Sequence, residues 1–371
     1  MRDVLARLDE WWGKGETVAL ATVVGTYSSA PRQVGASMLV GPAGEAVGSV
    51  SGGCVEGAVY ELGQQVLADG RPVFQRYGVS DEDAFTVGLT CGGIIDIFVE
   101  KVDPESYAQL GEVAAAVRDE SPVAVATVIS GPTERLGTRL VVWPEHVDGT
   151  TGSERLDDAI RDDARGLLDA GRNGQVSYGV DGQRRGEGLT VFVESFAPPP
   201  RMIVFGAIDF AAAVARMGSF LGFRVTVCDA RPVFATATRF PGANEVVVEW
   251  PHRYLAAEAE AGRIDKRTVL CVLTHDPKFD VPLLEVALRL PEVAYIGAMG
   301  SRRTHDDRIS RLREIGLTDA EIGRMSSPIG LDLGARTPEE TAVSIAAEMI
   351  AQHWGGAGTP LAERDGPIHV G

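Results

Sequence analysis

Hydrophobic and polar positions follow different patterns in the two halves of the chain. In the first half, β-branched apolar runs predict buried strands, of which Thr17–Thr26 and Gly92–Val102 are the clearest. Apolar residues at helical spacing predict helices over Val55–Leu67, Tyr107–Val117 and Arg155–Gly171. The first half is therefore predicted to be a mixed α/β domain.

The first half also suggests a loose internal duplication. The runs PVAVATVIS and GTRLVVWP repeat the pattern of Thr17–Val40, in which a β-branched run is followed by a loop and a short strand. The second copy carries no cysteine motif, so the repeat concerns the pattern of strands rather than the chemistry.

A run of prolines separates the two halves. Ala197–Arg201 contains three consecutive prolines, which continue neither a helix nor a central strand. We expect one domain over 1–197, a second over 198–355 and a loosely ordered tail over 356–371.

Beyond the prolines, strands and helices alternate regularly, beginning with RMIVFGA. Such alternation predicts a parallel sheet covered by helices on both faces, which is a Rossmann-like α/β domain. The last helix is expected over Pro338–His353, where Thr337 and Glu340 have the spacing of a capping box.

Composition and charge exclude several classes of function. A length of 371 residues favours two domains. A net charge of −17 argues against nucleic-acid binding, which needs a basic surface. We interpret the negative charge as a feature that keeps the protein soluble. No stretch of about 18 apolar residues and no signal-peptide core occurs, so we expect no membrane span and a cytoplasmic protein.

The four cysteines fall into two kinds. None belongs to a CxxC pair, so we expect no metal site. Cys228 and Cys271 lie inside apolar strands and are expected to be core residues.

The other two cysteines lie beside paired glycines, Cys54 in SGGCVEG and Cys91 in GLTCGG. If a helix begins at Cys54, its macrodipole favours the thiolate, while Gly52 and Gly53 leave the thiol accessible. Cys54 is then a candidate nucleophile, sulfur acceptor or soft ligand, and Glu56 faces elsewhere. The alternative is a small apolar residue at a tight packing point. Two such motifs in one domain suggest one pocket.

A strand, a glycine turn and a helix over Val204–Leu221 predict a dinucleotide-binding unit. Asp229 ends the next strand, where an acidic residue would meet a ribose hydroxyl. The fingerprint G-x-G-x-x-G/A is damaged, because Ile208 replaces the second glycine after Gly206. Asp209 adds negative charge where a phosphate would bind. The loop favours the Rossmann-like fold and argues against tight NAD(P) binding in the usual pose.

Further candidates lie at the predicted carboxyl ends of strands, where ligands bind in open α/β sheets. His275 ends one strand, and Gly300 and Ser301 follow the next, with Ser301 as the expected helix cap. The backbone N–H groups of this turn, together with Arg302 and Arg303, could hold an anion. The alternatives are a packing histidine and a solvated helix face, and the shared placement favours the site slightly.

Taken in order, these motifs resemble the XdhC/CoxI family, the accessory factors of xanthine dehydrogenase and carbon monoxide dehydrogenase. The resemblance spans Thr17 to Ile350 and rests on SAPRQVGASMLV, GSVSGGCVEG, GLTCGG, VCDARPVFATATRFP, VLTHDPKFD, YIGAMGSRRT and SPIGLDLGARTPEETAVSIAAEMIA. It implies an N-terminal XdhC/CoxI domain and a C-terminal Rossmann-like domain. It also implies a protein that binds molybdenum cofactor, protects it during sulfuration and passes it to an apo-enzyme.

The resemblance implies roles for particular residues. Cys54 and Cys91 would lie near the cofactor or its sulfur, and Arg32, Gly52 and Gly53 would line the same pocket. An arginine suits a pterin phosphate because its planar fork binds phosphate bidentately. The chain departs from the family at 206–209, where GAID replaces GAGH.

The resemblance also implies partners. These are an apo-molybdoenzyme of the xanthine dehydrogenase family, a cysteine desulfurase and a second copy of the chain. The residues leave two other functions open. An NAD(P)-dependent oxidoreductase would account for Asp229, and a scaffold that only contacts a partner would need no ligand.

Overall fold

The computed structural model describes residues 1–27, 32–78, 93–184, 186–274 and 276–363. The chain divides into two compact units, one containing Met1–Pro198 and the other Pro199–Arg364. The boundary between the units lies within the run of prolines.

The first unit contains two copies of one arrangement, a helix and three strands followed by a second helix and two strands. The first copy comprises α1 (Leu5–Gly13), β1 (Val18–Tyr27), β2 (Ser37–Val40), β3 (Ala46–Gly48), α2 (Glu56–Asp69), β4 (Val73–Tyr77) and β5 (Ile94–Val102). The second copy comprises α3 (Leu110–Arg118), β6 (Val123–Ser130), a 3-10 turn (Thr133–Arg135), β7 (Arg139–Val142), β8 (Val147–Thr150), α4 (Glu154–Ala170), β9 (Gly174–Gly179) and β10 (Gly188–Phe196).

Each copy forms a five-stranded antiparallel sheet, and the strand order is the same in both. The first sheet has the order β3-β2-β1-β5-β4 and the second β8-β7-β6-β10-β9. The internal duplication therefore extends over the whole of the first unit and includes the helices.

The alternation of side chains along the strands builds the first unit in layers. In β1, Ala19 and Val23 belong to a core cluster with α2, whereas Leu20 and Val24 pack with residues of the second sheet. In the second copy, α4 covers the outer face of its sheet in the same way. The two sheets thus pack against each other between two helices.

The second unit is a parallel sheet with helices. Its elements are β11 (Arg201–Phe205), α5 (Asp209–Phe220), β12 (Arg224–Asp229), β13 (Glu245–Val248), α6 (Pro251–Glu260), β14 (Val269–Val272), α7 (Pro277–Arg289), β15 (Tyr295–Ala298), α8 (Arg302–Glu314), α9 (Asp319–Ile322), β16 (Met325–Ser326), α10 (Pro338–Trp354) and a 3-10 turn (Leu361–Glu363).

All strand pairs of this sheet are parallel, and the order is β13-β12-β11-β14-β15-β16. In chain order this is 3-2-1-4-5-6, the order of a dinucleotide-binding Rossmann fold. The predicted Rossmann-like fold is confirmed. Cys228 and Cys271 are fully buried in its strands, as predicted, and Thr337 and Glu340 form the expected capping box. Within the described ranges, every helix is too short or too polar to cross a bilayer.

Candidate functional site

Four of the predicted site residues flank one end of the first sheet. Arg32 lies in the loop between β1 and β2, and Gly52, Gly53 and Cys54 lie in the loop between β3 and α2. The Ser49 N–H, directly after β3, donates to the carbonyl of Ser37, the first residue of β2, at 3.1 Å. The two loops therefore leave the sheet at the same end. Cys91, the fifth predicted residue, lies outside the described residues.

The loop that carries Cys54 depends on the backbone freedom of its two glycines. Gly52 has φ +77° and Gly53 has φ +116°, which L side chains rarely adopt. A Cβ at either position would meet no atom within 4 Å, so conformation rather than packing requires glycine. Helix α2 begins at Glu56 with Val55 as its N-cap, close to the predicted start at Val55, so the condition of a helix that begins at Cys54 is not met. Cys54 is a half-buried thiol in the loop ahead of the helix.

Glu56 organises this loop. Its Oε1 accepts hydrogen bonds from the Ser49 hydroxyl at 2.6 Å and the Ser51 N–H at 2.9 Å. Its Oε2 accepts from the Ser51 hydroxyl at 2.5 Å, the Gly53 N–H at 2.9 Å and the Val55 N–H at 3.2 Å. The prediction that Glu56 faces elsewhere is wrong, because its carboxylate folds back over the loop.

These hydrogen bonds keep Glu56 ionised. Burial alone would raise the pKa of its carboxyl group, but the bonds from Ser49 and Ser51 outweigh burial and lower the pKa to about 2. The loop is therefore built around a carboxylate that stays charged at any physiological pH.

The second copy has a related loop ahead of α4. There Asp157 accepts hydrogen bonds from the Thr150 hydroxyl at 2.6 Å, from the Thr151 N–H at 2.9 Å and from the Thr151 hydroxyl. Helix α4 begins at Glu154, three residues before this carboxylate, whereas α2 begins at its own carboxylate. In the first copy the glycine pair thus delays the start of the helix and leaves Cys54 in a loop.

Arg32 is held by an internal partner. Its Nη2 donates to Asp3 at 2.6 Å, and both side chains are partly exposed. Its Nε is buried and has no hydrogen-bond partner among the described residues. A phosphate bound here would meet this Nε and would compete with Asp3 for Nη2.

In the second unit, Gly206 makes a close approach to the segment that follows β14. It has φ +107°, and a Cβ there would lie 2.8 Å from Cγ2 of Thr274. Helix α5 begins at the exposed Asp209, whose carboxylate pairs with Arg239 at 3.2 Å. Ile208 is half-buried against the core. The glycine turn of a Rossmann fold is therefore present, with a charge pair where phosphate would bind.

Asp229 stands at the predicted place but its carboxylate is engaged. It accepts hydrogen bonds from the Ala207 N–H at 2.7 Å and from Arg231 through the backbone N–H, Nε and Nη2 at 2.8 to 2.9 Å. Burial tends to raise the pKa of Asp229, and the bonds from Arg231 and Ala207 lower it overall. A ribose hydroxyl would have to displace Arg231 to reach this carboxylate.

The turn after β15 is held in place by the buried ion pair between Arg308 and Asp280. Ser301 caps α8 and accepts from the Thr304 N–H at 3.2 Å, as predicted. Arg308 donates through Nη2 to the Met299 carbonyl at 2.7 Å and to Asp280 at 3.0 Å. This pair holds the segment from which Gly300 and the exposed Arg302 project; the exposed Arg303 follows on the helix. His275 lies outside the described residues.

Comparison with known sequences decides the family. The sequence model described as the XdhC and CoxI family matches residues 11–78 and again 116–179, once in each copy of the first unit. The model described as the XdhC Rossmann domain matches residues 202–349. The chain belongs to the XdhC and CoxI family. The double match supports the duplication seen in the fold.

Named relatives of this XdhC/CoxI protein cover most of its length. It is 28% identical over 339 residues to a probable xanthine dehydrogenase subunit of Bacillus subtilis, covering 90% of this chain and 93% of that protein. It is 26% identical over 335 residues to the molybdenum cofactor insertion chaperone PaoD of Escherichia coli, covering 90% and 83%. A crystal structure described as a xanthine dehydrogenase from Bacillus halodurans is 25% identical, with a TM-score of 0.65 and 97% coverage of both chains.

Sequence reasoning missed a polar cluster between the two sheets of the XdhC/CoxI unit. Arg139 of β7 donates to Glu100 of β5 at 2.6 Å, and its guanidinium lies 4.0 Å from the ring centre of Tyr107. Glu194 of β10 is buried at the position in its strand that corresponds to Glu100. Charged residues inside apolar strands were the available signal, because burying a charge requires a partner.

Proposed function

We propose that this chain is a molybdenum-cofactor-binding accessory factor. It holds the cofactor for sulfuration and for insertion into a molybdoenzyme of the xanthine dehydrogenase or carbon monoxide dehydrogenase type. The observation that carries the proposal is the Cys54 loop, in which a half-buried thiol lies on a backbone fixed by Glu56. The names of the relatives, a cofactor insertion chaperone and a component of xanthine dehydrogenase, support the same role.

The residues in the two loops at this end of the first sheet fit such a cofactor chemically. Cys54 offers a soft sulfur ligand or sulfur acceptor. The space beside Gly52 and Gly53 is open, so a ligand can approach the backbone. The Nε of Arg32, which has no hydrogen-bond partner in the described part of the chain, offers a donor to a pterin phosphate. When bound, the cofactor supplies the redox centre of the client enzyme, while the chain binds and orients it.

The proposal extends to partners. A carrier must release its cargo, so we include the apo-molybdoenzyme as the acceptor and a cysteine desulfurase as the sulfur source. We also propose that the protein works as a homodimer in the cytoplasm.

A pterin assay tests the proposal. The protein is expressed in a host that makes molybdenum cofactor, purified and oxidised, and the fluorescent pterin product is quantified. Cys54→Ser and Cys91→Ser are compared with Arg155→Ser, a matched control two residues before Asp157 as Cys54 is two residues before Glu56. We expect pterin in the wild type and in the control, and its loss in the cysteine variants. Absence of pterin even after incubation with the isolated cofactor would overturn the proposal.

The alternative function is an NAD(P)-dependent oxidoreductase. The strand order of the second unit and the position of Asp229 favour it. The engagement of Asp229 by Arg231 and the charge of Asp209 oppose it.

A further alternative is a scaffold that only contacts its client. Under this alternative, Cys54→Ala leaves activation of the client enzyme unchanged, whereas the cofactor carrier loses it. Activation of the apo-enzyme by the wild type is therefore compared with activation by Cys54→Ala, and this comparison distinguishes the two alternatives.

A further inference from the structure

We infer that Glu56 is a positioning residue that holds the glycine loop in the open conformation presenting Cys54. The inference deepens the proposed function and rests on it, because it assigns a task to a residue beside the thiol. It also implies that, of the two loops ahead of α2 and α4, the one in the first copy presents a thiol.

The first step of the argument is the number and kind of bonds that Glu56 makes. Two donors reach Oε1 and three reach Oε2, and they come from four residues between Ser49 and Val55. A carboxylate is the side chain suited to this set, since both of its oxygens only accept. In a glutamine, the NH₂ group would replace one of the two oxygens. It would then face either the two donors of Oε1 or the three donors of Oε2, and it cannot accept a hydrogen bond from them.

The second step is that the hydroxyl of Ser51 connects the Glu56 carboxylate to the backbone of Cys54. Ser51 donates its hydroxyl proton to Glu56, and its oxygen accepts from the Cys54 N–H and the Val55 N–H, both at 3.0 Å. The backbone of Cys54 is therefore tied to Glu56 through one intermediary. If the Glu56 carboxylate is displaced, the Ser51 hydroxyl moves with it. The hydrogen bond from the Cys54 N–H to Ser51 then changes, and the thiol of Cys54 moves.

The third step is the comparison within the chain. Asp157 binds the loop ahead of α4 through hydroxyl and amide donors, yet the residue in the place of Cys54 is Arg155 within the helix. A carboxylate at this point is thus compatible with a helix that begins three residues earlier. The combination of Gly52, Gly53 and Glu56 is what opens the loop in the first copy.

The experiment compares Glu56→Gln with Asp157→Asn, which removes the corresponding charge from the other copy. Both variants are made in a Cys91→Ser background, and the rate of alkylation by iodoacetamide at pH 8 is followed. Burial raises the pKa of Cys228 and Cys271 to about 12 and keeps both inaccessible, so the measured rate belongs to Cys54. The melting temperature of each variant and the pterin content of each in an otherwise wild-type chain are measured alongside.

We expect Glu56→Gln to change the alkylation rate and to lower retained pterin by about tenfold, the loss of one charge-assisted hydrogen bond. Asp157→Asn lowers the melting temperature to a similar extent and changes neither readout. Glu56→Asp, which keeps two accepting oxygens, restores part of the wild-type rate, and it replaces the glutamine variant if that variant does not fold. The wild type binds one pterin per chain.

Wild-type alkylation and pterin content in Glu56→Gln would overturn the inference. Equal losses in Asp157→Asn would also overturn it, because they would reflect general destabilisation. Two pterins per chain would refute the single loop. If neither the wild type nor any variant holds pterin, the proposed function fails, while a changed alkylation rate in Glu56→Gln still supports the positioning of the thiol.

Discussion

Glu56 and Asp157 occupy corresponding places in the two copies of the first unit, and each carboxylate binds the loop ahead of its own helix. The hydroxyl groups of Ser49 and Thr150 each lie seven residues before the carboxylate that they contact. The copies differ in the residues between. One copy has a glycine pair and a thiol, and the other has the first turn of a helix.

The glycine pair gives the first prediction. Gly53→Ala forces an L residue to adopt φ +116° and should destabilise the protein by about 1–2 kcal/mol, although no atom lies near the added methyl group. The matched control is Gly57→Ala, inside α2 with open space around it, which should stabilise by about 0.5–1 kcal/mol. Chemical denaturation measures both changes.

The same pair of variants separates stability from function. Gly53→Ala should also lose pterin, because a helix extended towards Gly52 moves Cys54. A variant that is destabilised but keeps its pterin would show that the open loop is not needed for binding.

The second prediction concerns pH. The pKa of Glu56 is about 2 in the folded protein against an ordinary value of 4.5. Its ionised form therefore adds stability that is fully present above pH 4.5 and is lost as the pH falls towards 2. The difference in unfolding free energy between wild type and Glu56→Gln should be constant from pH 5 to 7 and shrink below pH 4.5. A difference that grows on acidification would contradict the assignment.

The third prediction concerns the ion pair between the sheets. Arg139→Ala leaves Glu100 buried without its partner and should destabilise by about 3–5 kcal/mol. The double variant Glu100→Leu with Arg139→Met removes both charges and should cost clearly less. Denaturant titration measures both, and a double variant that loses as much stability as Arg139→Ala would contradict the pairing of the two residues.

The fourth prediction tests the second unit. NADH at near-millimolar concentration should show the same fluorescence with the protein as it shows free in buffer. The reason is that Asp229 is bound by Arg231 and Asp209 repels phosphate. A saturable change in NADH fluorescence that is lost in Asp229→Ala would favour the oxidoreductase alternative instead.

Local patterns were sufficient for much of the fold. The parallel sheet of the second unit, the cap at Ser301, the capping box of α10 and the buried Cys228 follow from periodicity and cap chemistry over a few residues. The sequence also pointed to Cys54 and to the pattern of repeated strands. The extent of the duplication needed the topology, because the two copies share few identical residues at their loops.

The sequence by itself determined which chemistry is available, namely a thiol beside two glycines and a Rossmann turn without its second glycine. Tertiary structure decided which of these groups are already engaged. Glu56 turns back to its loop, Arg32 pairs with Asp3, and Asp229 pairs with Arg231. The physical reason is that a side-chain hydrogen bond depends on rotamers and on backbone dihedral angles such as the positive φ of Gly53. These are set by packing, and residue spacing along the chain does not encode them.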